Sequence, residues 1–261
     1  MLEPVEDWIS KVRSKPQVPD LVEELIPAAP SLVLLGGRTG IGKTNLVLQL
    51  AFSVATGVEF LGLKTHQTDV GYLGFEGAPD KMANRLEKLG LSFSGWEGHL
   101  RFAVRPPLRL EGNEAQFLAM FQGVSLAIFD PLKYLVSGDY IKPADAQRFL
   151  ARLLTLADDL GAPILISHHI RKPDMRGLFE PGDLYELKGA GDYVEAATTV
   201  MLMERERQGH RPGGGFAPVN PDNAVLHFAK ARDAVAALDP IPMHFDRERL
   251  LWLPREFKLV V

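Results

Sequence analysis

The stretch Ser31-Leu-Val-Leu-Leu-Gly-Gly-Arg-Thr-Gly-Ile-Gly-Lys-Thr44 decides the fold that this sequence predicts. Residues 37–44 fit the phosphate-loop pattern G-x-x-x-x-G-K-[ST]. The apolar run at residues 31–35 predicts a buried strand before the loop. The apolar run at residues 45–55, which Gly57 ends, predicts a buried helix after it. The strand–loop–helix order that this motif requires is therefore present.

Each residue type in the loop has a chemical reason. Glycines let backbone N–H groups surround a phosphate, and the helix that follows directs its positive end at the same anion. Lys43 is expected to contact the β- and γ-phosphates of ATP, and the Thr44 hydroxyl is expected to bind Mg²⁺. The residues predicted to bind the nucleotide here are Gly37, Arg38, Thr39, Gly40, Ile41, Gly42, Lys43, Thr44 and Asn45.

The composition is that of an ordinary globular protein. The 261 residues are 46% hydrophobic and 24% charged, which is enough for a sizeable core. The absence of cysteine excludes disulfides and cysteine-ligated metals. Without a signal pattern or a long apolar run, we expect a cytoplasmic protein with no membrane contact. The net charge of -4 gives no global attraction to nucleic acid, so such a site has to be a local basic patch or a channel built by several subunits.

Beyond the loop, the apolar patterns of strands and helices alternate. Candidate strands lie at residues 69–75, 99–104, 124–129 and 163–167. Candidate helices lie at residues 79–89, 114–121 and 144–160. This alternation predicts an α/β fold, in which a mainly parallel twisted sheet is flanked by helices.

The last third of the chain changes character. Candidate strands follow one another without helices, at residues 198–203, 224–231, 241–245 and 250–253. They predict antiparallel strands added to the sheet near the C-terminus. Residues 208–223 are rich in glycine and proline, which predicts a long mobile turn.

The N-terminal 20 residues form a predicted arm, and residues 21–261 form the predicted main domain. A short helix is predicted at residues 5–14, before a proline-rich segment. Its apolar residues at helical spacing are Val5, Trp8, Ile9 and Val12. Such an arm either packs on a neighbouring subunit or covers its own domain, and the sequence favours neither.

Three predicted strand ends carry residues that fit phosphate chemistry. Asp130 ends an apolar strand. A carboxylate there either holds Mg²⁺ through its water shell or caps a turn or helix, and the phosphate loop upstream favours the magnesium role. Glu76 follows another strand, where it either orients the attacking water or is stabilised by the N-terminus of the next helix. His168 and His169 follow a third strand, where a neutral imidazole can contact the γ-phosphate. A metal role for this pair is disfavoured, because adjacent residues point in different directions.

Two predicted loops at the same edge of the sheet are basic. The first contains Lys133 and Lys142, and the second contains Arg171, Lys172, Arg176 and Lys188. These side chains either bind nucleic-acid phosphates in a channel or belong to ordinary solvated loops, and composition alone prefers the second reading.

Lys230 and Arg232 lie at the end of a late predicted strand. Two positions apart on a strand, they face the same side. They either reach the γ-phosphate of a neighbouring subunit as a finger in trans or form salt bridges at the strand end.

Taken in order, these motifs resemble the RecA-type ATPase core of hexameric replicative helicases, with the closest likeness to the plasmid RepA and DnaB-like group. The resemblance covers about residues 18 to 253. Besides the phosphate loop, it rests on Glu76 with Arg85 nine residues on, and on four short motifs at residues 130–132, 166–168, 187–191 and 230–232. It implies a RecA-like fold and Mg²⁺-dependent ATP hydrolysis in a six-membered homo-oligomer, coupled to translocation on single-stranded DNA and duplex unwinding.

The resemblance also implies roles for individual residues. Glu76 would be the catalytic glutamate, Arg85 the helix arginine of the nucleotide site, His168 the γ-phosphate sensor, and Lys230 with Arg232 the finger pair. The sequence departs from the family at Ala190, where relatives often have serine, and at Thr198, near which they have an acidic residue. A RecA-like regulatory or loader ATPase that does not unwind DNA is the alternative, and a small-molecule kinase fits these residues less well.

Overall fold

A computed structural model describes residues 2–14, 18–137, 142–169, 191–210, 216–218, 220–232, 234 and 237–256. The helices are α1 (Val5–Arg13), α2 (Lys43–Thr56), α3 (Pro79–Gly90), α4 (Glu114–Met120), α5 (Pro143–Leu160) and α6 (Gly191–Ala196), with a 3₁₀ helix at Leu132–Tyr134. The strands are β1 (Leu32–Gly37), β2 (Val70–Gly74), β3 (Leu100–Val104), β4 (Leu126–Asp130), β5 (Ile164–His169), β6 (Thr199–Arg205), β7 (Arg207–His210), β8 (Phe216–Pro218), β9 (Asn223–Ala231), β10 (Ile241–Asp246) and β11 (Leu251–Pro254).

Nine of these strands form one sheet in the order β11-β10-β9-β6-β1-β5-β4-β2-β3. The strands from β6 to β3 in that order pair in parallel, whereas β9, β10 and β11 are added in antiparallel orientation. The RecA-like arrangement predicted from the sequence, a mainly parallel sheet flanked by helices with an antiparallel C-terminal extension, is confirmed.

The two faces of the sheet bury separate sets of apolar side chains. One face, which we call the site face, packs against α2 and α3, and Val33, Ile128 and Leu165 belong to its core. The other, which we call the opposite face, packs against α4, α5 and α6, and its core includes Phe129 and Ile166. Because successive strand residues point to opposite faces, each buried strand is apolar on both sides.

The helix that follows the phosphate loop, α2, is buried on nearly all of its sides, because it packs against the sheet. Eleven of the fourteen residues of α2 are buried. Gly57 ends it in the left-handed conformation (φ 73°), which glycine adopts without steric cost. Within the described ranges, every helix is too short or too polar to span a bilayer.

One local expectation is corrected. The segment 208–223 was expected to be one long mobile turn, but β7, which begins one residue before it, and β8 pair as a two-stranded antiparallel sheet. Glycine and proline content records where a chain can bend, and it carries little information about backbone pairing on either side of the bend. The short helix α6, which packs beside α5 through Tyr193 and Phe149, had no clear periodic pattern.

The N-terminal segment has two parts with different packing. Leu21, Val22, Leu25 and Ile26 are buried in the core of the site face. In contrast, α1 has no buried residue, and its apolar stripe is open to solvent, with Trp8 52% exposed. The helix therefore does not cover the domain to which it is attached.

Candidate functional site

The register of the parallel strands brings the predicted site residues to one edge of the sheet. Gly37 on β1 lies beside His169 on β5, and Gly74 on β2 lies beside Asp130 on β4. A cavity of about 370 Å³ opens at this edge. Its lining consists of Thr39, Gly40, Gly42, Lys43, Thr44, Asn45, Glu76, Gly77, Met82, Arg85, Asp130, Pro131 and His169. A larger depression of about 480 Å³ between α4 and α5 contains none of these groups.

Lys43 lies folded over its own loop. Its Nζ donates to the carbonyl oxygens of Gly37 at 2.7 Å and Arg38 at 3.0 Å. Burial lowers the pKa of Lys43 to about 8, against the opposing charges of Asp130 and Glu76. A buried ammonium that donates to two carbonyl oxygens and has no carboxylate hydrogen-bonded to it among the described residues is a group that a phosphate would stabilise.

The remaining loop positions divide by role. Thr39, Gly40, Gly42, Thr44 and Asn45 line the cavity, as does Arg85 on α3. Three predicted nucleotide-binding residues do not line it. Ile41 packs into the core, and Gly37 and Arg38 lie beneath Lys43 and supply its carbonyl partners.

The C-terminal strand β11 packs against the phosphate loop through Trp252. The strand was predicted from the sequence, but its contact with the loop was not. Trp252 donates from Nε1 to the carbonyl oxygen of Gly42 at 3.3 Å. Gln49 on α2 exchanges two hydrogen bonds with the backbone of Trp252, at 2.9 and 2.7 Å. Gly42 itself has φ 106°, and a Cβ there would lie 2.7 Å from Trp252 Cζ2. A glycine at this position is therefore required by backbone conformation and by the indole behind it.

Asp130 is a buried carboxylate with a defined orientation. Its Oδ2 accepts a hydrogen bond from Tyr72 at 2.7 Å, and its Oδ1 accepts one from Ser167. Burial, followed by the charge of Asp130, raises the pKa of Tyr72 well above its ordinary value, so the phenol stays protonated and donates. Asp130 and Thr44 line the same cavity and present hard oxygen donors, the ligand type that Mg²⁺ takes. These residues fit a magnesium ion held by Thr44 and, through water, by Asp130.

Glu76 enters the cavity from the end of β2, two residues beyond the strand. Its Oε1 lies 2.6 Å from Lys133 Nζ and accepts a hydrogen bond from Tyr134 at 3.3 Å. Partial burial acts to raise the pKa of Glu76, but the hydrogen bond and charge of Lys133, with a smaller effect of His169, lower it below its ordinary value. The carboxylate is therefore ionised at neutral pH.

The structure corrects the predicted position of the histidine at the site. His168 points to the opposite face, is 2% exposed, and its ring centroid lies 5.9 Å from that of Tyr193. His169 lines the cavity instead, with Nδ1 3.4 Å from both Lys43 Nζ and Thr39 Oγ1. Burial and the charge of Lys43 lower the pKa of His169, which keeps the ring neutral at pH 7. Both histidines belong to β5 itself, so strand alternation sends them to opposite faces.

The predicted DNA-binding lysines occupy different environments. Lys133 was expected to project from a loop, but it lies on the 3₁₀ helix Leu132–Tyr134 and forms an ion pair with Glu76. Lys142 lies exposed at the start of α5. The residues of the other predicted basic loop, Arg171, Lys172, Arg176 and Lys188, lie outside the described residues.

Lys230 lies on β9 and Arg232 directly follows that strand; both side chains reach the same carbonyl oxygen, that of Glu195, and neither lines the cavity described above. Lys230 Nζ donates to the carbonyl oxygens of Val194 and Glu195, and Arg232 donates to that of Glu195 at 2.6 Å. Cations at the last carbonyls of α6 are favourably placed.

One comparison with known proteins found a family to which this chain is similar. Residues 2–175 match a family model described as an AAA domain, which covers more than half of the chain. The matched region contains the phosphate loop, Glu76, Asp130 and His169. The chain has no match among curated proteins.

Proposed function

The chain belongs to the AAA domain family and is a P-loop ATPase domain, and we propose that it hydrolyses ATP with Mg²⁺ at the subunit interfaces of a homo-oligomeric ring that moves along single-stranded DNA and unwinds duplexes. One observation carries the ATPase part of this proposal. Lys43 and Thr44 begin α2, Glu76 follows β2 and Asp130 ends β4, and all four line one cavity. Phosphoryl transfer needs these groups for positioning and charge stabilisation.

The mechanism follows from the contacts of each residue. Lys43 exchanges its two carbonyl partners for phosphate oxygens, and the loop N–H groups and the N-terminus of α2 bind the same anion. Mg²⁺ would neutralise charge that develops on the β- and γ-phosphate oxygens. Glu76, ionised, orients the attacking water. His169, neutral and beside Lys43, is placed to contact the γ-phosphate, the role that the resemblance assigned to His168.

Two features support assembly into a homo-oligomer. Lys230 and Arg232 do not line the cavity of their own chain, whereas a second copy could present them to it; a finger of this kind is worth about 10³–10⁵-fold in rate. The apolar stripe of α1, which includes Trp8 and Val12, is left exposed by the described parts of the chain and suits packing on a neighbour. The resemblance to hexameric replicative helicases gives six as the expected number.

A second candidate function is a RecA-like regulatory or loader ATPase that does not unwind DNA. It is favoured by the ion pair of Lys133 with Glu76, which removes one cation from the predicted DNA surface. The acidic net charge of -4 favours it as well.

Steady-state ATP hydrolysis, measured with and without single-stranded DNA at low salt, tests the proposal and separates the two candidates. Strong stimulation by DNA, together with a particle mass near six subunits in ATP and Mg²⁺, supports the translocase. Hydrolysis that is indifferent to DNA favours the regulatory ATPase. The absence of any hydrolysis contradicts both.

Mixing variants tests the contribution in trans. We expect Arg232→Ala and Glu76→Gln subunits to be nearly inactive alone and to regain part of the ATPase rate when mixed, because some interfaces then combine an intact Arg232 with an intact Glu76. No recovery at any mixing ratio argues against a finger in trans.

A further inference from the structure

The two oxygens of the Glu76 carboxylate are in different environments. Oε1 forms an ion pair with Lys133 Nζ at 2.6 Å and accepts a hydrogen bond from the Tyr134 hydroxyl at 3.3 Å. In the part of the chain that the structure describes, Oε2 has no hydrogen-bond partner. One oxygen is therefore anchored from the 3₁₀ helix, and the other is left available for a water molecule.

We propose that Lys133 is a positioning residue, which holds Glu76 by Oε1 so that Oε2 faces the attacking water. This inference rests on the proposed ATPase function of the site. Lys133 does not touch the reacting atoms in this scheme. It acts through Glu76, whose orientation decides whether the water lies in line with the γ-phosphate.

The segment that carries Lys133 is well fixed. Leu132 and Leu135, on either side of it, are fully buried in the core of the opposite face. Backbone hydrogen bonds close the turn, from Leu135 to Leu132 at 2.9 Å and from Tyr134 to Pro131 at 3.4 Å. The Tyr134 ring also stacks on Phe75, the residue before Glu76, at 6.1 Å between centroids. The anchor and the carboxylate are thus supported by the same packed unit.

The solvent exposure of the Lys133–Glu76 ion pair indicates that the pair orients the Glu76 carboxylate more than it stabilises the fold. The side chains of Lys133 and Glu76 are 33% and 43% exposed. An ion pair this open to solvent contributes at most about 1 kcal/mol to folding. Its removal should therefore leave the fold intact and act on the geometry of Glu76.

A double-mutant cycle on ATP hydrolysis tests this inference. We expect Lys133→Met to lower kcat about 10-fold with KM for ATP unchanged, because a misplaced reactive group costs rate and not ground-state binding. Lys133→Arg should restore part of kcat, since it keeps the cation. In the Glu76→Gln background, Lys133→Met should not lower kcat further, because the carboxylate that Lys133 holds is no longer present.

Several results would overturn the inference. If the effects of Lys133→Met and Glu76→Gln multiply, Lys133 acts on the phosphate directly. A rise in KM alone gives it a binding role, and a loss confined to DNA stimulation makes it a DNA contact. An unchanged kcat leaves it no role in positioning.

Controls separate this inference from the function on which it rests. Lys64→Met, at a lysine whose side chain is 73% exposed and does not line the cavity, should leave kcat unchanged. If Lys133→Met does not fold, Tyr134→Phe removes the other donor to Oε1 and should lower kcat about threefold, with the same non-additivity. Wild-type turnover that Lys43→Ala abolishes establishes the ATPase whatever the cycle gives. Absent wild-type turnover overturns both proposals.

Discussion

The two faces of the parallel sheet are built from the same strands but differ in chemistry. On the site face, polar groups occupy the strand ends, where Tyr72, Ser167 and Asp130 share hydrogen bonds. On the opposite face, the side chains near the strand ends belong to an aromatic core, in which Phe117 packs edge-on to Phe129. The difference arises where α2 begins, because its N-terminus and the loop before it leave the strand ends of the site face uncovered.

This difference predicts that substitutions on the two faces affect different quantities. Substitutions of the polar side chains that line the cavity on the site face should change nucleotide binding and turnover. Substitutions of the core side chains of the opposite face should change the free energy of unfolding. Four predictions follow, from the largest expected effect to the smallest; three test this separation, and the one for Gly42 tests the support of the phosphate loop.

Lys43→Ala should lower kcat for ATP by about 10²–10³-fold or more, because it removes the cation that stabilises charge developing on the phosphates. Steady-state hydrolysis measures the effect, and circular dichroism shows whether the variant is folded. Lys64→Ala, at a side chain 73% exposed, is the matched control. Retained turnover in Lys43→Ala would contradict the assignment of the site.

Phe117→Ala should lower the free energy of unfolding by about 3–5 kcal/mol, because it opens a cavity in the core of the opposite face. Urea unfolding measures this loss. Met120→Ala on the same helix is the control, since Met120 is exposed and should cost less than about 1 kcal/mol. A weakened ATP affinity in the folded fraction of Phe117→Ala would break the proposed separation of the faces.

Gly42→Ala should destabilise the protein by about 2–4 kcal/mol. Its positive φ of 106° strains any other residue, and the added methyl group would collide with Trp252. Gly112→Ala isolates the first contribution, because Gly112 has φ 81° with open space around it, and should cost about 1–2 kcal/mol. Equal losses of unfolding free energy in the two variants would mean that the indole does not constrain the loop.

His168→Ala and His169→Ala compare the two faces at adjacent residues. His169→Ala should weaken ATP binding about tenfold, or about 1.4 kcal/mol, with little change in stability. His168→Ala should leave the Kd for ATP within about twofold and lower stability by about 1–2 kcal/mol, since its ring is buried. Nucleotide titration measures the Kd for ATP and urea unfolding measures the stability of both variants. If His168→Ala weakened ATP binding and His169→Ala lowered only stability, the γ-phosphate sensor would be His168.

Much of the fold follows from local patterns in the sequence. The phosphate loop with its flanking apolar runs, the alternation of strands and helices, and the antiparallel C-terminal strands were all predicted, because hydrophobic period and glycine position record local structure. Asp130 and Glu76 were found because a polar residue directly after an apolar strand is a visible signal. The roles predicted for them remain to be tested by the experiments above.

Other features had no local signal. His168 and His169 are neighbours of identical type, and the sequence shows that they diverge but not which one faces α2. Lys133 has the composition of a solvated loop, whereas its contact with Glu76 depends on β4 lying beside β2. The pairing of Gln49 with Trp252 joins residues 203 positions apart.

The sequence by itself determined the kind of site, because the loop chemistry of residues 37–44 and the carboxylates at strand ends are properties of residue type and short spacing. The tertiary structure alone decided which groups meet there. Strand order placed β5 and β4 beside β1 and β2, and the packing of α2 on one face selected His169 over His168. Short-range periodicity fixes how side chains alternate, but only long-range packing decides which side of a strand becomes a cavity and which becomes core.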